Sequence, residues 1–157
     1  MNDIFIDAQV ANKFATPPDK DYSDLSDWLW SNDLSDKLQN AHLVVCQKLI
    51  NDYFGGNQHC AKSRSICSIY DKMMKEDRIL KKTKDEISNF QKKFFKWKDL
   101  RCKESGSSDP SLIPLIFLSN RMIGLCEDEN LIYDIINMPK WKNKAIVKRH
   151  PKDLKYR

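Results

Sequence analysis

The sequence predicts an α/β protein with a central, mainly parallel sheet, and three observations support this fold class. Short apolar, β-prone runs alternate along the chain with longer segments of helical periodicity. Apolar residues make up 41% of the chain and charged residues 31%, which is typical of folded globular proteins. The 157 residues suit one domain that is large enough to bury a core. We therefore expect a single domain over residues 1–157.

The first half of the chain predicts two strand–helix units. Residues 4–6 form a β-prone run, and residues 16–19 contain two prolines that separate this run from a helix over 21–30. A second apolar run over 43–46 leads directly into a helix over 47–54 that ends at two glycines. Strand, helix, strand, helix in this order predicts parallel strands joined by right-handed crossovers.

The rest of the chain predicts helices in its middle and two further strands near its end. Apolar residues recur at helical spacing over 63–75, and a capping box over 83–86 opens another helix. Asp109, which is followed by a proline, suits the N-cap of an apolar helix. The apolar runs over 123–126 and 145–147 predict a buried strand and an edge strand.

Charge is distributed unevenly along the chain, whose formal net charge is +5. Residues 1–40 hold 8 acids and 3 bases, whereas residues 72–103 hold 12 bases and 5 acids, and residues 140–157 hold 8 bases and 1 acid. Such basic blocks suit a polyanionic partner, with nucleic acid as the first candidate and an anionic membrane as the second. Lysine-rich, solvated helix faces explain the blocks equally well.

The cysteines predict a reducing compartment. There are five of them, an odd number, and their spacing does not predict disulfides. His59, Cys60 and Cys67 lie close together in sequence but lack a second pair of ligands, which favours ordinary buried thiols over a zinc site. The longest apolar run, 112–118, is too short to span a bilayer, and no signal peptide is predicted. We expect a cytoplasmic protein without a membrane partner.

Four acidic residues occupy places where one edge of a parallel sheet could gather them. Asp7 ends the first strand, Asp52 lies in the helix after the second, Asp109 opens the apolar helix, and Asp128 follows the next strand. Each has a simpler explanation as a turn former, a helix cap or part of a solvated face. Together they indicate a cation site, because clustered carboxylates repel one another. Mg²⁺ or Mn²⁺ accepts oxygen ligands and can activate water for attack on a phosphodiester.

The arrangement resembles the PIN-domain nucleases over most of the chain. The sequence IDAQV around Asp7 is similar to the family motif in which an Asp closes the first strand. Asp52 matches the acid in the helix after the second strand, Asp109 the acid that opens an apolar helix, and Asp128 the acid after the next strand. In the family the position of Asp52 is more often Glu, and the position of Asn130 often holds a further acid.

The resemblance implies a three-layer α/β/α sandwich and Mg²⁺- or Mn²⁺-dependent hydrolysis of RNA. By the same resemblance Asp7, Asp52, Asp109 and Asp128 are both the catalytic residues and the metal ligands. The segment 57–103 fits the family only loosely and could form a helical insertion within the domain.

We therefore expect a metal-dependent endoribonuclease, and the resemblance implies a bacterial toxin or defence component. The alternative is a catalytically inactive PIN-like module that binds RNA or a protein, because Asp52 and Asn130 depart from the family pattern. A DNA nuclease shares the same chemistry. An inhibitory protein partner and a homo-oligomer are both left open by the sequence.

Several further residues are candidates for binding nucleic acid or for supporting the acids. Phe90, Phe94 and Trp97 share a helix face that predicts core packing, whereas Phe95 lies off that face and could stack on a base. The basic residues predicted to neutralise phosphates are Lys92, Lys93, Lys96, Lys98 and Arg101. The weaker polar candidates beside the predicted site are Asn12, Asn120, Glu127 and Asn130.

Overall fold

The central element of the computed structural model, which describes residues 1–55, 60, 62–103 and 109–157, is a five-stranded, all-parallel sheet. The strand order across the sheet is β3-β2-β1-β4-β5. This arrangement confirms the predicted α/β fold with a parallel sheet. The strands are β1 (Asn2–Ile6), β2 (Ala41–Val45), β3 (Ile79–Lys81), β4 (Ile123–Leu125) and β5 (Ile146–Lys148).

Helices cover the two faces of the sheet, which is consistent with a three-layer sandwich. They are α1 (Ala8–Ala11), α2 (Lys20–Trp30), α3 (Gln47–Phe54), α4 (Ile66–Lys75), α5 (Lys84–Phe94), α6 (Ile113–Phe117) and α7 (Glu129–Ile136). Among the described residues, four short 3-10 helices lie at Asn12–Ala15, Trp97–Asp99, Pro110–Leu112 and Pro151–Asp153. In one group α2 contacts α4 and α1 contacts α3, and in the other α6 contacts both α5 and α7. No helix in the part of the chain described is long and apolar enough to cross a membrane.

The three middle strands form the centre of the core. Their apolar side chains are buried, as expected for parallel strands that helices cover on both faces. Phe5 of β1 lies in register with Gly124 of β4. A Cβ atom at Gly124 would lie 2.9 Å from Cδ1 of Phe5 and 3.0 Å from its carbonyl oxygen. A glycine is therefore needed at this position so that the two strands can pair beneath the Phe5 ring.

The order of the strands creates a crevice at one edge of the sheet. From β1 the chain moves outward to β2 and β3, then returns past β1 to place β4 and β5 on its other side. The direction of winding therefore changes between β1 and β4. In open parallel sheets, ligands bind at such a switch point, outside the carboxyl ends of the strands.

The segment 57–103 is not a purely helical insertion, because it contributes strand β3 to the sheet. Within it the structure describes α4, β3, α5 and a 3-10 helix. Strand β3 pairs in parallel with β2 along the residue pairs Leu43–Ile79, Val44–Leu80 and Val45–Lys81. It was missed because it has only three residues, which lie among charged neighbours.

Two of the cysteines contradict the prediction from their spacing. Cys60 and Cys67, seven residues apart, form a disulfide. The pair is therefore not a pair of metal-ligating thiols, and His59, the third residue of the disfavoured zinc site, lies outside the described residues. Cys46 and Cys126 are buried at the carboxyl ends of β2 and β4.

A buried carboxylate anchors the chain that leads towards Asp109. Asp134 of α7 is only 2% exposed. It accepts hydrogen bonds from the backbone N–H of Arg101, at 2.9 and 3.0 Å, and from that of Cys102, at 2.7 Å. These bonds satisfy two backbone donors in a segment outside any helix or strand, and they fix that segment against α7.

Candidate functional site

The structure brings the four predicted acidic residues to one cleft at the switch point. Asp7 follows β1, Asp52 lies in α3, Asp109 precedes the 3-10 helix Pro110–Leu112, and Asp128 precedes α7. All four line a cleft of about 180 Å³. We call this the acidic cleft. Sequence spacing located Asp7, Asp109 and Asp128 because each lies at the end of a strand or the start of a helix, and Asp52 lies in the helix that directly follows β2.

Asp7 is the most buried of the four, with 7% of its surface exposed. Burial raises the pKa of its carboxyl group above the usual value, and the negative charges of Asp128 and Asp52 raise it further. The backbone N–H groups of Ala8 and Gln9 oppose this shift. The surroundings of Asp7 therefore disfavour its negative charge.

Asp52 has a cationic neighbour that the sequence analysis did not single out. Nζ of Lys48, one turn earlier in α3, lies 2.6 Å from Oδ1 of Asp52. This hydrogen bond raises the pKa of the Lys48 ammonium group, and the negative charge of Asp109 contributes to the same shift. Among the described residues that line the cleft, Lys48 is the one basic side chain. The four-residue spacing of the pair was the signal that could have identified it.

Asp109 and Asp128 are helix caps as well as cleft residues. Oδ1 of Asp109 accepts a 2.8 Å hydrogen bond from the N–H of Ser111. Oδ1 of Asp128 accepts bonds of 2.9 and 3.0 Å from the N–H groups of Asn130 and Leu131. The simpler explanation of both residues as caps is therefore confirmed. Capping also fixes the direction of each carboxylate, so a role as a helix cap is compatible with a role in the cleft.

A buried hydrogen bond holds α3 against β1 behind the cleft. The hydroxyl of Tyr53, next to Asp52, donates a 2.6 Å bond to the carbonyl oxygen of Ile6, next to Asp7. The neighbouring thiols of Cys126 and Cys46 are not among the described residues that line the cleft, and burial raises the pKa of both above the usual value. The donors that face the cleft are accordingly carboxylate oxygens.

The weaker polar candidates occupy different places. Glu127 forms an ion pair with Lys13 and accepts a 3.3 Å hydrogen bond from the Tyr22 hydroxyl. The side chain of Asn130 is exposed on the first turn of α7. Neither residue lines the acidic cleft as the structure describes it.

The other two weaker candidates, Asn120 and Asn12, lie in different parts of the fold. The backbone N–H of Asn120 donates a 2.6 Å bond to the buried carboxylate of Asp3 near the start of β1. Asn120 therefore lies towards the amino edge of the sheet, opposite the cleft. Asn12 lies in the 3-10 helix after α1, and its buried Oδ1 has no hydrogen-bond partner among the described residues.

The predicted basic residues lie away from the start of α5, which is the end of that helix nearest the cleft. Lys92 and Lys93 occupy its last turn, about 12 Å along the axis from the first residue. Lys96 and Lys98 follow the helix, and the Arg101 guanidinium covers the Tyr133 ring at 3.4 Å. The basic side chains at the carboxyl ends of β2 and β3 are instead Lys48, Lys81, Lys82 and Lys84.

The aromatic residues of this region are mainly structural. Phe90 is buried and stacks on Phe117 at a centroid distance of 5.4 Å, which confirms the core prediction for Phe90. For Trp97 that prediction is wrong, because 47% of its surface is exposed. Phe95 is half-buried and contacts the Phe90 and Trp97 rings edge to face. These contacts place it against the protein rather than pointing into solvent.

A tighter group of metal-ligating atoms lies elsewhere. Within the described residues, ligand atoms of Asp19, Asp21 and His150 all lie within 4.8 Å of one another, and the carboxylates of the acidic cleft do not form so close a group. Nδ1 of His150 accepts a bond from the N–H of Lys152, which leaves the proton on Nε2, 2.8 Å from Oδ2 of Asp19. His150 therefore donates to Asp19, and its ring nitrogens are satisfied without a metal.

No protein-family model, curated protein or solved structure matches the chain. The resemblance to the PIN-domain nucleases therefore depends on the short motifs around the four acids and on the elements that carry them.

Proposed function

We propose that the protein is a PIN-like, metal-dependent ribonuclease that hydrolyses phosphodiester bonds of RNA. One observation carries this proposal. Four carboxylates from four separate elements line one cleft, and Lys48 is the one cation among the described residues that line it. Negative charges gathered in this way repel one another unless a cation joins them. The switch point of a parallel sheet is also where such a site is expected.

The donors in the cleft suit Mg²⁺ or Mn²⁺. Asp7, Asp52, Asp109 and Asp128 would hold one or two ions through hard oxygen atoms, and no thiol is among the described residues that line the cleft. A bound ion of this kind supplies a nucleophile at neutral pH by lowering the pKa of water.

The chain's own residues contribute position and charge. Helix capping fixes the Asp109 and Asp128 carboxylates towards the cleft, and the bond from Tyr53 to Ile6 holds α3 close to β1. With Asp52 held as a metal ligand, the Lys48 ammonium group would be available to bind a phosphate oxygen. Lysines at the ends of β2 and β3 extend this positive surface along the sheet edge.

The ion pair between Lys48 and Asp52 favours a second candidate function. It neutralises one of the four acids without a metal, and the cleft acids are not closely grouped. A PIN-like module that binds RNA without cutting it would need only a cleft whose charge is balanced in this way, with no divalent ion. The two functions differ in whether a divalent ion binds the acidic cleft.

The test is cleavage of an end-labelled single-stranded RNA by the wild type, by Asp7→Asn and by Asp21→Asn, with Mn²⁺, Mg²⁺ or EDTA. Asp21→Asn is the matched control, because it removes one carboxylate from the group of Asp19, Asp21 and His150, which lies outside the acidic cleft. Metal-dependent cleavage that Asp7→Asn loses and Asp21→Asn keeps supports the nuclease. Binding of RNA without cleavage under every condition supports the binding module and rejects the nuclease.

A further inference from the structure

A second cavity, of about 240 Å³, lies beside the acidic cleft. It lies at the carboxyl ends of β2 and β3, where α3 and α5 begin. Lys48 lines both cavities, so they are neighbours. We call it the lysine cavity and define it by Cys46 and Ile87, by Ser111, and by Lys81, Lys82 and Lys84.

The lysine cavity combines an apolar interior with a positive rim. Cys46 and Ile87 are buried side chains that supply the apolar surface. Lys81 and Lys84 are exposed at the rim, where the apolar stems of lysines cover the wall and the ammonium groups reach solvent. No carboxylate is among the described residues that line this cavity. Such a site suits a flat apolar group that carries a negative charge.

The rim lysines differ in how far they are already paired. Lys81 donates a 2.7 Å hydrogen bond to the Gln47 side-chain carbonyl, and Lys82 lies 3.8 Å from the Glu86 carboxylate. Within the described part of the chain, Lys84 forms no ion pair. Gln47 is neutral and leaves the charge of Lys81 uncompensated, whereas Glu86 compensates the charge of Lys82 in part. Lys81 and Lys84 therefore supply the positive charge of the rim.

Ser111 provides an independent sign that the cavity has a ligand. Its Oγ is buried, and among the described residues it has no hydrogen-bond partner. Leaving a buried hydroxyl unsatisfied costs free energy, which a polar ligand atom would recover. The backbone N–H of Ser111 bonds to Asp109, so one short turn contributes Asp109 to the acidic cleft and Ser111 to the lysine cavity.

We propose that the lysine cavity binds one nucleotide of single-stranded RNA, with its base inside and its phosphate at the rim. The base would lie against Cys46 and Ile87 and share a hydrogen bond with Ser111. Lys81 and Lys84 would bind the phosphate. The volume is below the range of about 300–1,000 Å³ that holds drug-sized ligands, which suits a single base. The choice of RNA rests on the proposed function, whereas a site for one nucleotide does not.

The test is a titration of the whole chain with uridine 5′-monophosphate and adenosine 5′-monophosphate in EDTA. Ribose 5-phosphate and inorganic phosphate are the comparison ligands, and binding is followed by NMR chemical shifts. We expect the nucleotides to bind about tenfold more tightly than ribose 5-phosphate, because burial of the base adds apolar contact. Equal binding of nucleotides and ribose 5-phosphate, or of nucleotides and phosphate, overturns the base site.

Two sets of variants locate the binding. Ser111→Ala removes the unsatisfied hydroxyl and should weaken nucleotide binding by about two- to tenfold without affecting ribose 5-phosphate. Lys81→Ala/Lys84→Ala should weaken all phosphate-bearing ligands by about tenfold. Lys20→Ala/Lys37→Ala removes the same charge from exposed positions outside both basic blocks and should change little. Equal losses in the two double variants overturn the proposed site.

The same variants separate this proposal from the nuclease. If wild type binds nucleotides at the lysine cavity but never cleaves RNA, the proposed function fails and the nucleotide site is kept. If wild type cleaves RNA but binds nucleotides no better than ribose 5-phosphate, the nuclease is kept and the nucleotide site is rejected.

Discussion

Lys48 and Asp52 form a 2.6 Å ion pair inside the acidic cleft, one helical turn apart on α3. The ammonium group would therefore compete with a divalent ion for the Asp52 carboxylate. The pair is partly exposed, with 47% of the Lys48 side chain and 31% of the Asp52 side chain accessible. Pairs of this kind stabilise a fold little, so its main effect is on the charge of the cleft.

Lys48→Met is expected to increase the affinity for Mn²⁺ by roughly tenfold, because a competing positive charge leaves the cleft. Its free energy of unfolding should change by less than about 1 kcal/mol. Isothermal titration calorimetry measures the affinity. Lys20→Met is the matched control, since Lys20 forms the same four-residue pair with Asp24 at 2.6 Å. An affinity that Lys48→Met leaves unchanged contradicts a metal site in the cleft.

Asp7→Asn is expected to stabilise the protein at neutral pH by about 1 kcal/mol, the usual size of one stabilising substitution. Burial and two neighbouring carboxylates raise the pKa of Asp7 in the folded state. The folded state therefore binds the proton more readily than the unfolded state, and the ionised carboxyl group lowers stability above its raised pKa. Urea unfolding at several pH values provides the measurement.

The advantage of Asp7→Asn should shrink as the pH falls through the raised pKa of Asp7 towards the ordinary value of 3.8. In that range the wild-type carboxyl group becomes protonated and neutral, like the amide. Asp71→Asn, at an exposed position in α4, is the control and should show no such trend. A difference in unfolding free energy between the wild type and Asp7→Asn that is constant with pH would mean that the surroundings do not disfavour the ionised Asp7 carboxylate.

Asp134→Ala is expected to lower the free energy of unfolding by about 2–4 kcal/mol, because it leaves the N–H groups of Arg101 and Cys102 without their acceptor. Asp71→Ala removes an exposed carboxylate from a helix and should cost less than about 0.5 kcal/mol. Urea unfolding compares the two. Similar small effects in both variants would show that the carboxylate of Asp134 does not anchor this segment.

Gly124→Ala is expected to destabilise the fold by about 1–3 kcal/mol, since its Cβ would lie within 3.0 Å of two Phe5 atoms in a packed core. Gly55→Ala is the comparison. A Cβ atom at Gly55 would lie 3.2 Å from the carbonyl oxygen of Asn51, its nearest neighbour, and the Gly55 backbone has ordinary helical angles. The free energy of unfolding is therefore expected to change by less than about 1 kcal/mol. Thermal unfolding followed by circular dichroism measures both. Equal stability of the two variants would contradict the close approach of β1 and β4.

Local sequence predicted those parts of the fold that have strong local signals. The cores of β1, β2 and β4 are continuous apolar runs, and α5 opens with the complete capping box of Thr83 and Glu86. Three acids of the cleft, Asp7, Asp109 and Asp128, were found because they stand at the ends of such elements, and Asp52 through the helix that directly follows β2. Their convergence required only that the strands be parallel.

The features that were missed depend on tertiary contacts. Strand β3 has three residues and is recognisable only through its pairing with β2. The lysine cavity joins the end of that strand to Ser111, about thirty residues later, so no local pattern could reveal it. The cysteine prediction failed for the same reason, because a spacing of seven residues indicates a disulfide only once the chain folds back at that point.

The central position of β1 also has a consequence for the timing of synthesis. Strand β1 can pair with β2 soon after β2 is synthesised. The other partner of β1, strand β4, follows β1 by roughly 120 residues. At about 5–20 residues per second, a ribosome needs roughly 6–24 s to add that stretch. Asp128 follows β4, so a nascent chain that ends before or within β4 holds at most three of the four acids. Any activity of the cleft would therefore appear only after nearly the whole domain has left the ribosome.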